Sequence, residues 1–158
     1  MKGSNFANMG ITFKGCGSYV PAQVLSNEKI SQIVDTSDEW IKTRTGISNR
    51  RIAEIDENVS DMGFKAALLA MEMANWGTET VDLIILATST PSDLFGSAPM
   101  IQAKLRAKNA LAFDLTAACS GFIFALITAS QYLSSGKYKR ALVIGSDQLS
   151  SYVDWQDR

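Results

Sequence analysis

The chain has 158 residues, 46% hydrophobic and 20% charged, with 15 Lys+Arg against 16 Asp+Glu and a formal net charge of −1. That length suits one hydrophobic core, and the composition excludes a disordered or fibrous chain and argues against a dedicated nucleic-acid binder. With no histidine and only two cysteines, Cys16 and Cys119, the chain itself holds no Ser-His-Asp or Cys-His machinery, no histidine-containing zinc site and no disulfide framework.

No apolar run approaches the length of a membrane span, and residues 1–10 form a polar leader without the apolar segment of a signal peptide. A soluble protein of the reducing cytoplasm is the expectation. Ile11–Phe13 leads into Gly15-Cys16-Gly17-Ser18-Tyr19-Val20-Pro21 as a short strand with Cys16 in its core. Ser26 is placed to cap a helix running to about Val34, and Ser37 a second one through Asp38-Glu39-Trp40-Ile41 that ends before Gly46. Ser48–Glu57 reads as a polar connection with a brief strand at Arg51-Ile52.

Ser60 is expected to cap a helix from Asp61 to Trp76. Asp61, Lys65 and Glu72 mark its wet side, and Met62, Ala66, Leu69, Met73 and Trp76 its buried side. Val81–Ala87 is a continuous apolar strand of the kind covered on both faces. A helix over Ser97–Arg106, a strand over Leu111–Leu115, a helix from Cys119 to Ser134 and a strand over Arg140–Ile144 complete the alternation. Such alternation predicts a mainly parallel sheet with right-handed crossovers. The stretch Cys119–Ala129, CSGFIFALITA, is apolar on nearly every side. A helix of that kind needs cover all round, so a further layer outside this chain is expected and the chain reads as half of a larger unit.

Cys119 follows a strand and opens a helix among small neighbours, in Thr116-Ala117-Ala118-Cys119-Ser120-Gly121. A helix N-terminus activates a thiol and supplies N–H groups to a developing oxyanion, which makes Cys119 a candidate nucleophile; a buried core cysteine is the alternative. Gly15-x-Gly17 lacks the third glycine of a dinucleotide fingerprint and is set aside. Trp40 with Lys42, Arg44, Arg50 and Arg51 suits either a phosphorylated nucleotide or a helix with an inward Trp and solvated charges. Asp61, Asp82, Asp114 and Asp147 lack metal-ligand spacing, so no metal is expected.

Asp35-Thr36-Ser37-Asp38-Glu39-Trp40-Ile41, Thr43-Arg44-Thr45-Gly46-Ile47, Ala112-Phe113-Asp114-Leu115, Ala117-Ala118-Cys119-Ser120-Gly121-Phe122 and Leu142-Val143-Ile144-Gly145-Ser146-Asp147 together resemble β-ketoacyl-acyl-carrier-protein synthase III. The resemblance is collinear from about Ile11 to Arg158 and covers the N-terminal half only. It implies a thiolase-like α/β half-domain at 11–158, with a mainly parallel five-stranded sheet and helices on both faces, as one half of a two-half, five-layer fold.

It further implies an acyltransferase that starts type II fatty-acid synthesis. Cys119 would take an acyl group from acyl-CoA and condense it with malonyl-acyl-carrier protein as CO₂ leaves, with no cofactor. A His and an Asn from the other half would assist decarboxylation, so the isolated chain is expected to be inactive in condensation. By matched position Trp40 and Arg158 would sandwich the adenine of CoA, Thr36 and Arg44 would contact the nucleotide, and Phe95 in Leu94-Phe95-Gly96-Ser97 would line the acyl pocket across a homodimer interface. Many relatives carry Pro where this chain has Gly96. Lys104, Arg106 and Lys108 suit an acidic carrier protein or simply a solvated helix end. Two alternatives stay open: a starter-unit synthase of secondary metabolism, and a non-catalytic truncated assembly or CoA-binding module.

Overall fold

The computed structural model describes residues 10–157, so all of the polar leader except Gly10 lies outside the described residues, as does Arg158. The chain divides into two compact units. The smaller comprises the described parts of Val20–Asn58 and Gln148–Arg158. In it β1 (Gln23–Ser26) pairs antiparallel with β2 (Asn49–Ile52), in the register Gln23 opposite Ile52 and Ser26 opposite Asn49. α1 (Asn27–Ile30) starts where expected, with the Ser26 hydroxyl accepting from the Lys29 N–H, but spans one turn instead of reaching Val34. The Ser31 hydroxyl donates to the Glu28 carbonyl, and bonds from Gln32 to Lys29 and from Ile33 to Ile30 tighten the chain out of α geometry.

α2 (Asp38–Thr45) follows the sequence closely. The Ser37 hydroxyl accepts from the Trp40 N–H at 3.1 Å, and Asp38 and Glu39 lie at the positive end of the helix dipole. Gly46, at φ +71°, ends the helix in the left-handed conformation that glycine adopts without steric cost. Asn27 ties this unit together. Fully buried, it donates to the Asp38 carboxylate and the Ile47 carbonyl, each at 2.8 Å, and accepts from Arg50.

The larger unit comprises the described part of Met1–Tyr19 with Val59–Asp147. It contains α3 (Val59–Ala74), β3 (Leu83–Ala87), α4 (Ala98–Leu105), β4 (Leu111–Leu115), α5 (Gly121–Ser134) and β5 (Ala141–Gly145). The three strands are parallel in the order β4-β3-β5, with Ile85 of β3 level with Phe113 and Val143. β3 is central and every one of its side chains is buried, as its unbroken apolar run requires. Ile84 and Leu86 pack into a core with Val59, Met62, Ala67 and Met71 of α3 and Ile101 and Leu105 of α4. Leu83, Ile85 and Ala87 pack the opposite way, against Ala125 and Ala129 of α5. Helices therefore cover both faces.

The sheet has three strands, not five. The expected strand at Ile11–Phe13 forms no ladder: Gly10–Val20 carries no assigned secondary structure, and a cleft of about 1170 Å³ lies between residues 10–17 and β5, α3 and α5. Gly15 and Gly17 press on the backbone of α3 so closely that a Cβ on either would overlap the carbonyls of Ala70 and Ala66. Helix contact, not nucleotide binding, accounts for that glycine pair. Cys16 is exposed rather than core, its N–H directed at the Met73 sulfur.

α3 differs from its expected stripe too. It begins at Val59, so Ser60 is a buried helical residue and not the cap, and it ends at Ala74 before Asn75 at φ +53°. Val59, Met62, Gly63, Ala67 and Met71 form the buried face, while Leu69 and Met73 are about half exposed. Gly63 sets this rotation, because a Cβ there would meet Ile101 at 2.8 Å; α4 packs directly on the glycine. In α5 the buried stripe is Gly121, Ala125 and Ala129, and Phe122, Ile123, Phe124 and Ile127 stay about half exposed.

Candidate active site

The C-terminal ends of the three parallel strands are bonded to one another beyond the sheet. Thr88 N–H donates to the Leu115 carbonyl and Ser146 N–H to the Ala87 carbonyl, each at 3.1 Å. Asp147 Oδ1 accepts from the Ser89 N–H at 2.7 Å and from the hydroxyls of Thr88 and Thr90. Strand ends of parallel sheets are where α/β folds place their chemistry.

β4 leads out of this rim into Thr116-Ala117 and a single 3₁₀ turn, Ala118–Ser120, before α5 begins at Gly121. Ala118 holds φ +47°, a left-handed conformation disfavoured for any residue with a Cβ. Such strain is stored where the surrounding structure enforces it, and here it immediately precedes Cys119. Cys119 is exposed, and among the described residues neither its thiol nor its N–H makes a hydrogen bond. α5 starts directly against the sheet at the buried Gly121, where an added Cβ would lie in ordinary contact, 3.4 Å, with that of Ala87. The arrangement presents an accessible nucleophile beside its own unengaged amide, at the positive end of a 14-residue helix.

Phe95 belongs to the same unit. It is 89% exposed beside Leu94, which is completely exposed, on the loop between β3 and α4. Gly96 turns the chain after them at φ +94°, a conformation closed to proline. Thr36, Trp40 and Arg44 belong to the smaller unit. The Arg44 guanidinium lies 4.4 Å from the Trp40 ring centroid, and the ring is 36% exposed. The Thr36 hydroxyl oxygen is buried, with no hydrogen-bond partner among the described residues. Arg158 lies outside the described residues. Within α2, Asp38 is held below the ordinary carboxylate range, first by its hydrogen bond from Lys42 and then by that from Asn27; Lys42 is correspondingly raised.

The four aspartates without metal spacing are structural acceptors. Asp82 receives the N–H groups of Lys139 and Arg140, Asp61 pairs with Lys104, Asp147 binds the loop after β3, and Asp114 receives the N–H groups of Ser97 and Ala98. Lys104, also bonded to Ser60, is thereby committed to the α3–α4 contact. No group of three or more potential metal ligands occurs among the described residues, and no described helix is long and apolar enough to cross a membrane.

A strand, a strained turn with an exposed cysteine, and an apolar helix against a parallel sheet form a thiolase-like α/β half-domain. Solved structures carry the same arrangement. 3-Oxoacyl-[acyl-carrier-protein] synthase III of Aquifex aeolicus superposes with a TM-score of 0.90 at 52% identity, over 94% of this chain and 48% of that one. The priming β-ketosynthase of a polyketide biosynthetic pathway superposes with a TM-score of 0.89 at 38% identity, over 92% and 44%. The family profile of 3-oxoacyl-[acyl-carrier-protein (ACP)] synthase III matches residues 113–158, the segment from β4 through Cys119 onward. β-Ketoacyl-[acyl-carrier-protein] synthase III of Prochlorococcus marinus is 70% identical over all of this chain, which covers 47% of that protein. The chain is thus a homologue of β-ketoacyl-acyl-carrier-protein synthase III that spans about half the length of the curated relatives it matches.

Proposed function

We propose that this chain is the nucleophile-bearing half of a condensing enzyme that starts type II fatty-acid synthesis from acyl-CoA, with acetyl-CoA the first candidate, and malonyl-acyl-carrier protein. The observation that carries the reading is Cys119, exposed and unbonded at a strained strand-to-helix turn, in a chain 70% identical to a synthase III. The Cys119 thiolate attacks the thioester carbonyl of acyl-CoA, its own N–H stabilises the oxyanion, and the C–S bond to CoA breaks to leave acyl-cysteine and CoA thiolate, which takes a proton from solvent. Malonyl-carrier protein then loses CO₂; the carbanion forms a C–C bond to the acyl carbon, and the Cys119 thiolate is released. This chain has no histidine, so imidazole assistance to decarboxylation comes from the other half.

Trp40 and Arg158 sandwich the adenine of CoA, and Thr36 and Arg44 contact the nucleotide; the Arg44 guanidinium beside the Trp40 ring supports a cation at this site. Phe95 lines the acyl pocket of a homodimeric partner; its near-complete exposure on a two-residue apolar tip supports that role. A cytoplasmic location accompanies this reading. Likeness to a polyketide priming synthase supports a second reading, a starter-unit synthase with a different acyl preference. Competing acyl-CoAs of increasing length against the full-length enzyme separates the two. The fatty-acid reading requires acetyl-CoA to be preferred, and a strong preference for a longer starter favours the second.

A further inference from the structure

Asp114 does more than end a strand. It sits half-buried on β4, five residues before Cys119, and its carboxylate accepts from two backbone amides of the neighbouring connection, Ser97 N–H at 2.7 Å and Ala98 N–H at 2.6 Å. Both donors belong to fully buried residues. No side chain of α4 caps its N-terminus, so Asp114 supplies that cap from another strand, where a carboxylate also answers the helix dipole. The loop it seizes is closed at its base by the Ser92 N–H donating to Ser97 Oγ at 2.7 Å, and braced within by the Phe95 N–H donating to Asp93 at 2.8 Å. Its turn is made by Gly96 at φ +94°, whose missing Cβ would stand 3.4 Å from the Asp114 carboxyl carbon. The tip of that loop is Leu94-Phe95.

We infer that Asp114 is a positioning residue for acyl-chain selection: it registers the Phe95 loop to the strand that delivers Cys119. The inference rests on the proposed roles of Cys119 and Phe95. This connection fixes the apolar tip to β4, so the depth to which the tip enters the partner's acyl pocket depends on a carboxylate that touches neither substrate nor thiol. An amide at position 114 keeps the shape but puts an NH2 donor where one of the two accepting oxygens stands, so in this geometry one of the two N–H groups faces a donor.

The test uses the full-length enzyme, measuring kcat/KM for acetyl-CoA and for a four-carbon acyl-CoA in the wild type, Asp114→Asn, Phe95→Ala and their double variant. Asp114→Asn is expected to change the ratio of the two by about tenfold, in the direction Phe95→Ala changes it, and the double variant to add little. A purely structural role would lower both constants together and leave the ratio unmoved; that result overturns the inference while wild-type acylation of Cys119 leaves the proposed function standing. Failure of the wild type to acylate at Cys119 overturns both, and an unmoved ratio in Phe95→Ala overturns this inference and the pocket role of Phe95 while leaving acylation at Cys119 standing. Should Asp114→Asn not fold, Gly96→Ala perturbs the same loop through its φ with the carboxylate intact, and an unchanged ratio there also contradicts the assignment.

Discussion

Ala118, Cys119 and Trp40 carry the account at the scale of single residues. Ala118 at φ +47° holds a conformation that costs an alanine about 1–2 kcal/mol relative to right-handed geometry. Ala118→Gly removes that strain but loosens the unfolded chain, so its stability is expected to stay within about 1 kcal/mol of wild type. Ala118→Val, β-branched in the same conformation, is expected to lose about 1–3 kcal/mol in urea denaturation and to slow acylation of Cys119. Equal stability of the glycine and valine variants would show that the turn is not held in this conformation. Trp40→Ala is expected to raise the KM for acyl-CoA several-fold in the full-length enzyme, because loss of aromatic and cation stacking is worth on the order of 1–2 kcal/mol, with less effect on malonyl-carrier protein. An unchanged acyl-CoA KM would assign Trp40 to packing alone.

The elements divide by how local their causes are. α2 is fully legible: its Ser37 cap, early acids and Gly46 stop act within a few residues, and the helix forms where they place it. β3 and β4 are legible for the same reason, since an unbroken apolar run constrains its own stretch of chain; the helix expected to open at Cys119 opens instead at Gly121, after a 3₁₀ turn over Ala118–Ser120. α3 is not. Its buried face is chosen by where α4 settles on Gly63, and periodicity cannot distinguish that face from Leu69 and Met73. Ile11–Phe13 reads as the start of a short strand because its residues favour one, yet a strand needs a partner edge, and the glycine pair that follows commits the segment to α3. The aspartate anchors are not legible: the sequence shows only that Asp61, Asp82, Asp114 and Asp147 lack metal-ligand spacing, and the donors each one serves come from distant segments of the chain.

Asn27 shows the energetic side of a non-local element contact. Its amide joins α1, α2 and β2 from a fully buried position, so Asn27→Leu is expected to destabilise the protein by about 1–3 kcal/mol, chiefly by leaving its former partners unsatisfied. Asp38 beside it titrates below its ordinary value of 3.8. Its contribution is complete above that value and is lost as pH falls through the lowered one. Lys42 is raised above 10.5, so the same pair contributes below that pH and is lost as pH rises through the higher value. The stability deficit of Asp38→Asn should therefore be constant near neutral pH and shrink on acidification. A deficit that grows below pH 3.8 would contradict the pairing.

For the whole molecule, two surfaces of the larger unit point outward. α5 buries only its Gly121, Ala125 and Ala129 stripe and leaves aromatic and branched residues half exposed, and β4 is an edge strand of its sheet among the described residues. The proposed second half covers the former, and a two-fold pairing of β4 edges closes the latter without orphaned backbone groups. Light scattering of the full-length enzyme at low concentration is expected to give a dimer; a monomer would contradict the pairing and, with it, a role for Phe95 across the interface. The central claim is narrower: Cys119 is the residue that receives the acyl group. Incubating full-length enzyme with acetyl-CoA and sequencing its peptides by mass spectrometry tests it directly. The account predicts acetyl on the Cys119 peptide, absent from Cys119→Ser and cleared when malonyl-carrier protein is added. Acetyl found on Cys16 instead, or turnover retained by Cys119→Ser, would contradict it.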